Sequence, residues 1–155
     1  MKRLAFGVAL AAVLLNLLLE YWLMAVPSSA VIVPGFADFH PAWNRGVSFS
    51  LFAPDSETGL YLLMAVVALI CAWAAAMAWH ANGRLSALGY GLILGGGVGN
   101  LLDRALYGGA VFDFLYLHLG AMPLFVCNFA DIAISAGVLL LLLEWLTAKS
   151  GAHQE

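Results

Sequence analysis

Four long apolar runs separated by short polar breaks make up most of the chain. The first covers about Leu4 to Val26, follows Lys2 and Arg3, and ends at Pro27-Ser28-Ser29. The second covers about Leu60 to Trp79 and stops at His80-Ala81-Asn82-Gly83-Arg84. The third covers about Leu85 to Leu106, with Asn100, Asp103 and Arg104 interrupting its last turns. The fourth covers about Leu124 to Leu146 and is closed by Lys149 and a polar tail. A helix needs about 20 apolar residues to cross a hydrocarbon layer roughly 30 Å thick, so each run predicts one membrane span. The stretch at about 31–52 has another texture. Val31-Ile32-Val33 is β-branched and Pro34-Gly35 marks a turn. Val47-Ser48-Phe49-Ser50-Leu51 alternates apolar and hydroxyl residues, the period of a half-buried strand. The expected fold is an all-α membrane protein of four spans in one domain over residues 1–155, with a small β-sheet cradle of two or three strands on the outer membrane surface.

Composition sharpens this picture. Hydrophobic residues make up 64% of the chain and charged residues only 10%, against about 25% charged in a soluble domain. The net charge of −3 and the lack of a basic run exclude a nucleic-acid partner. Lys2, Arg3, Arg84 and Lys149 fall on one side of the spans, which the positive-inside rule makes cytoplasmic, with both termini there. Arg45, Arg104, Asp38, Asp55, Glu57, Asp103 and Asp113 fall on the other, with the two longer connections. Trp22, Trp43, Trp79 and Trp145 lie near span ends, as interface anchors do. The basic start, apolar run and Ser28-Ser29-Ala30 also look like a secretory signal. The run is longer than the roughly 7–15 residues of a signal core, and it is read as a retained span. Cys71 and Cys127 sit in apolar stretches without metal-type spacing and read as small buried side chains.

The candidate chemistry lies in polar residues within or beside spans three and four, where such groups are costly. Asn100, Asp103 and Arg104 fall at i, i+3 and i+4 and share a helix face; Asn128, Asp131 and Ser135 do the same on span four. Asp113 lies in the connection between them, flanked by Phe112 and Phe114. The span three to span four connection can bring Asp113 and Asp131 together near the outer interface. Asp103 has a counter-charge next door in Arg104, and that pair reads as structural; Asp113 and Asp131 have no such neighbour. Two carboxyl groups in a low-dielectric pocket tend to share one proton. One can then activate water while the other donates to a carbonyl oxygen, which is peptide hydrolysis by an aspartic dyad. A proton or ion pathway through a small transporter would use the same groups, as would a purely structural polar network.

Local motifs narrow the choice. Asn44-Arg45-Gly46-Val47-Ser48-Phe49, Gly95-Gly96-Gly97-Val98-Gly99-Asn100-Leu101-Leu102-Asp103-Arg104, Val111-Phe112-Asp113-Phe114 and Asn128-Phe129-Ala130-Asp131 occur in this order. They resemble the Asn-x-Gly-x-(Ala/Ser)-Phe, Gly-Asn-x-x-Asp-Arg, Val-x-Asp-Phe and Asn-x-Ala-Asp segments of the lipoprotein signal peptidases, or signal peptidase II, of bacterial inner membranes. The resemblance implies an aspartic endopeptidase that needs no metal or cofactor. It would cut the signal peptide of prolipoproteins before a diacylglyceryl-modified cysteine, at the periplasmic face. It makes Asp113 and Asp131 the catalytic pair, with Asn44, Gly46, Asn100, Asp103, Arg104, Asn128 and Ala130 lining or bracing the site. It also implies membrane lipid and globomycin-type peptide inhibitors as further partners. The chain departs from the family's pattern in the first span, where Asn16 and Glu20 stand at the positions of its Asp and Lys. That change leaves room for altered activity or for a homologue that binds without cutting. Glu20 could pair with Arg45 or Arg104, or stay protonated.

Simpler roles suit the remaining polar residues. The Gly91, Gly95 and Gly99 repeat is expected to be a close-packing helix face. His118 reads as a hydrogen-bonded loop residue, Asp38, Asp55 and Glu57 as solvated, and Glu144 as an anchor that snorkels or pairs with Lys149.

Overall fold

Each apolar run becomes a helix because lipid offers no partner for backbone polar groups, which must bond within the segment. The computed structural model describes residues 1–26, 28–46 and 56–151. It contains four helices, α1 (Lys2–Leu23), α2 (Glu57–His80), α3 (Arg84–Leu106) and α4 (Phe129–Gly151), all long and apolar enough to cross a membrane. Four strands, β1 (Ala30–Val33), β2 (Ala37–Asn44), β3 (Val111–Leu119) and β4 (Met122–Cys127), form one antiparallel sheet in the order β1-β2-β3-β4. The sheet lies at the end where α1 and α3 finish and α2 and α4 begin. At the opposite end Lys2 Nζ sits 4.1 Å from the Trp79 ring and Lys149 Nζ 5.2 Å from the Trp145 ring. These basic and aromatic anchors therefore gather on one side, as their positions predict.

Helix α3 is the centre of the bundle, and its glycines explain how. A Cβ at Gly91 would fall 2.5 Å from the Ala5 carbonyl oxygen, and one at Gly95 2.6 Å from that of Ala9. Gly99 faces the Asn16 side chain. On the other flank Gly89 meets the Gly137 carbonyl, and Gly96 that of Ala130. Helix α3 is thus pressed backbone to backbone between α1 and α4. Close approach of small residues supplies the packing that a hydrophobic force cannot supply in lipid.

The sheet is larger than expected, and the fourth span starts later. The apolar run from Leu124 holds two structures, because Leu124–Cys127 belongs to β4 and only the residues from Phe129 are helical. Leu115, Tyr116 and Leu117 of β3 pair with Cys127, Val126 and Phe125 of β4. A continuous apolar run cannot by itself tell a buried strand from a helix. Pro123 fits because β4 is an edge strand, where a missing N–H does least harm. The segment read as a loop around Asp113 is therefore a central strand. The alternating run at 47–51 lies outside the described residues.

Candidate active site

The local sequence places Asp113 and Asp131 by two different devices. Helix α3 stops at Gly108-Gly109, which take φ of +62° and +90°. The Gly109 N–H donates to the Arg104 carbonyl at 2.8 Å. This left-handed ending turns the chain into β3 and brings Asp113 to its third residue. There Asp113 is only 2% exposed, opposite Ala42 of β2. Asp131 is fixed by a capping box at the start of α4. Its N–H donates to Asn128 Oδ1 at 2.9 Å, and the Asn128 N–H donates back to Asp131 Oδ2 at 3.4 Å. The Asn-x-Ala-Asp motif is thus a helix start whose N3 carboxylate also faces the site.

Asparagines and a glycine complete the frame. Asn44 Nδ2 donates to Asp113 Oδ2 at 2.9 Å, while Asn44 Oδ1 accepts from the Gly46 N–H at 2.9 Å. Asn100 Nδ2 donates to Asp131 Oδ1 at 2.9 Å and Asn100 Oδ1 accepts from Asn128 Nδ2 at 3.0 Å. Arg104 donates to the Gly46 carbonyl at 2.6 Å and to the Asn100 carbonyl at 3.1 Å. Asn44, Gly46, Asn100, Arg104, Asp113, Asp131 and Ser135 all line one cavity of about 290 Å³, whose remaining wall is mainly apolar. A second cavity of about 490 Å³ reaches Asp131 from the side of β3, β4 and α4, past Leu115, Phe125 and Leu139.

The two carboxyl groups differ in their hydrogen bonds. Both Asp131 oxygens accept, from Asn100 and from the Asn128 N–H. Asp113 Oδ1 is buried with no donor among the described residues. Burial pushes the Asp113 carboxyl up to about 7, opposed by the Asn44 bond and reinforced by the charge of Asp131. A carboxyl group held protonated near neutral pH is suited to donate. Burial, with the same two aspartates, pushes the adjacent Cys127 thiol up to about 12, so it is no thiolate nucleophile at neutral pH. Among the described residues no group of three or more His, Cys, Asp or Glu side chains is placed to hold a metal ion.

Several site residues stand elsewhere than the sequence indicated. Asn100 and Arg104 face the cavity, but Asp103 does not share their role. It is fully buried behind β3, where its Oδ2 accepts from the Phe112 N–H at 3.4 Å. No ion pair joins Asp103 and Arg104 among the described residues, because the arginine reaches toward Gly46 instead. Ala130 contributes its backbone: its N–H donates to Asn16 Oδ1 at 3.0 Å. Asn16 and Glu20 are both buried, and Asn16 Nδ2 donates to Glu20 Oε1 at 2.6 Å. Glu20 makes no ion pair with Arg45 or Arg104 among the described residues and contacts Asp103 instead. Their i, i+4 spacing in a span was the available signal, and it is a sound one.

The outlying polar residues also found partners. Asp38 is not simply solvated, since its Oδ2 lies 3.2 Å from His118 Nε2, and His118 Nδ1 lies 2.8 Å from the Gly120 carbonyl. Glu144 accepts from Ser86 Oγ at 3.0 Å and has no ion pair with Lys149 among the described residues. Glu57 is exposed in the first turn of α2, and Asp55 lies outside the described residues.

Comparison with known proteins gives the family and the fold. Residues 8–147 match the family described as signal peptidase (SPase) II. A lipoprotein signal peptidase of Methylobacterium sp. (strain 4-46) is 46% identical over 124 residues, which cover 79% of this chain and 74% of that one. Another, of Nitrobacter hamburgensis, is 38% identical over 151 residues, covering 88% and 87%. A third, of Methylorubrum extorquens, is 48% identical over 72% of this chain and 64% of its own length. Two solved structures titled as bacterial membrane enzymes superpose with TM-scores of 0.74 and 0.73 at 19% identity. They cover 95% and 92% of this chain, and 90% and 92% of their own. At that identity they speak for the fold of four spans and a sheet. The chain belongs to the signal peptidase II family.

Proposed function

We propose that the protein is an aspartic endopeptidase that removes the signal peptide of prolipoproteins before a diacylglyceryl-modified cysteine, with Asp113 and Asp131 as its catalytic pair. One observation carries this: the two aspartates line a single cavity at the sheet end of the bundle, with opposite hydrogen-bonding needs. Asp131, an acceptor at both oxygens, takes a proton from water as the water attacks the scissile carbonyl. Asp113 gives its proton to the carbonyl oxygen. After the tetrahedral intermediate forms, the proton held by Asp131 goes to the leaving nitrogen, the C–N bond breaks, and one hydroxyl of the intermediate returns its proton to Asp113 as the C=O bond reforms. Such acid–base assistance is worth about 10² to 10⁴ in rate for each group.

The surroundings fit a lipid-anchored substrate. The 290 Å³ cavity continues from the aspartates along Leu63, Val67 and Ile70 of α2, and the 490 Å³ cavity along Leu139 of α4. The first leads from both aspartates along α2, and the second from Asp131 across exposed apolar side chains of α4 and β4, paths for acyl chains and a signal helix. The proposed orientation has both termini cytoplasmic and the sheet periplasmic, from the basic residues gathered at the other end. Globomycin-type peptides would compete for the same cavity.

Purified protein in detergent, given a diacylglyceryl-modified prolipoprotein, should cut before the modified cysteine. Asp113→Asn and Asp131→Asn should each stop cleavage while the protein stays folded. Turnover at a similar rate in either variant would remove that residue from the reaction.

A further inference from the structure

Behind the cavity a line of buried polar groups connects the two proposed catalytic segments. The Ala130 N–H, one residue before Asp131, donates to Asn16 Oδ1. Asn16 Nδ2 donates to Glu20 Oε1. Glu20 and Asp103 touch through their carboxyl groups. Asp103 Oδ2 accepts from the Phe112 N–H, one residue before Asp113. Asn16, Glu20 and Asp103 are at most 1% exposed. Neither Glu20 nor Asp103 lines the cavity, so neither meets substrate there.

The two ends of this line are both N–H donors pointing inward. Working in from each end gives every acceptor oxygen of the line a donor but one pair. Glu20 Oε2 and Asp103 Oδ1 remain, buried and without a donor among the described residues. Two bare carboxylates in contact repel, and neither makes an ion pair among the described residues. A single hydrogen at that link completes the line; none breaks it, and so do two.

We infer that Asn16, Glu20 and Asp103 form a positioning strap that ties the backbone ahead of Asp113 to the backbone ahead of Asp131 through one hydrogen held between the two carboxyl groups. The strap holds the two aspartates at a fixed spacing from the first span. This inference rests on the peptidase reading for its activity consequence, though not for its geometry. It also accounts for the pair Asn16 and Glu20 as a unit. A lysine at position 20 would put a charge against Asp103 and leave Asn16 Nδ2 without its acceptor.

The test is a parity experiment on amide variants. In Glu20→Gln the amide nitrogen supplies the one hydrogen, while its oxygen still accepts from Asn16. In Asp103→Asn the amide supplies it from the other side. Each single variant should keep cleavage within about threefold of the parent, as a conservative replacement of one hydrogen bond does. The double variant Glu20→Gln, Asp103→Asn puts one hydrogen too many into the line, and no flip of any amide removes the clash. Its kcat should fall about 10- to 100-fold, the scale of a misplacement near 1 Å, with KM little changed. Amide hydrogen exchange at Phe112 and Ala130 should rise in the double variant alone. A double variant as active and as protected as the singles would overturn the strap, as would a Glu20→Gln protein as slow as the double. If the double fails to fold, Asn16→Ala cuts the same line at its other end, and parent-level kcat there would overturn it too. Failure of the parent protein to cut any lipid-modified substrate would sink the peptidase reading instead, while the exchange measurements would still decide the strap.

Discussion

Two pairs of carboxyl groups lie near the sheet end of the bundle, and they differ in what they face. Asp113 and Asp131 line a cavity with apolar walls, each steadied by an asparagine. Glu20 and Asp103 are buried between α1, α3 and β3, where they meet each other, Asn16 and a backbone N–H. Similar groups at similar depth thus have different uses. Where a carboxyl oxygen is left open to a cavity, it can exchange a proton with a reacting molecule. Where every oxygen is enclosed, the proton can only hold structure together.

The comparison can be broken most forcefully at the open pair. Asp113→Asn and Asp131→Asn should each lower kcat at least about 10²- to 10⁴-fold, the worth of a positioned acid or base. Melting in detergent should show that both variants remain folded. The double amide at the sealed pair should cost less, as given above, and should spare KM.

The pH profile gives a sharper distinction. Asp113 holds its proton up to about pH 7, against an ordinary value of 3.8. The rate should therefore fall by about tenfold per pH unit above that point. Stability follows with a worked sign. The unfolded chain releases this proton near 3.8 and the folded chain near 7, so Asp113 increasingly disfavours folding as pH rises between those values. Asp113→Asn should accordingly melt higher relative to the parent at pH 8 than at pH 5. A gain independent of pH would show that Asp113 is not held protonated.

Removing one supporting amide should have a middling effect. Asn100→Ala takes a donor from Asp131 Oδ1 and an acceptor from Asn128. About 1–3 kcal/mol of stability is expected for the polar groups left buried, with kcat reduced about tenfold by the freed carboxylate. The smallest effect should come at the far end of the bundle. Trp79→Leu loses the Lys2 contact there, worth about 0.5–1 kcal/mol, and should leave kcat alone.

Much of this was legible in the chain. Spans α1, α2 and α3 follow from apolar length, and a close-packing face on α3 from the spacing of Gly91, Gly95 and Gly99; that α1 fills it is seen only in the fold. The residues that line the cavity follow from costly polar groups in apolar surroundings together with four ordered motifs. What could not be read was long-range pairing. Leu124–Cys127 is a strand only because β3 lies beside it. Asp103 parts from Arg104 because the arginine finds the Gly46 carbonyl, 58 residues away in sequence. Adjacency along a helix gives which groups could meet, and the tertiary fold chooses among them. Asn16 and Glu20 were visible as a departure from a pattern, but their meaning depended on Ala130 and Asp103 arriving from two other helices.

The central claim is that Asp113 and Asp131 divide one proton transfer between them in cutting a lipid-anchored signal peptide. The most direct test is the pH dependence of cleavage of a diacylglyceryl-modified prolipoprotein by the purified protein, run beside Asp113→Asn. Cleavage before the modified cysteine that declines above about pH 7, and is absent in the variant at every pH, is the predicted result. Cleavage that persists in Asp113→Asn, or a rate that climbs steadily through pH 7, would contradict it.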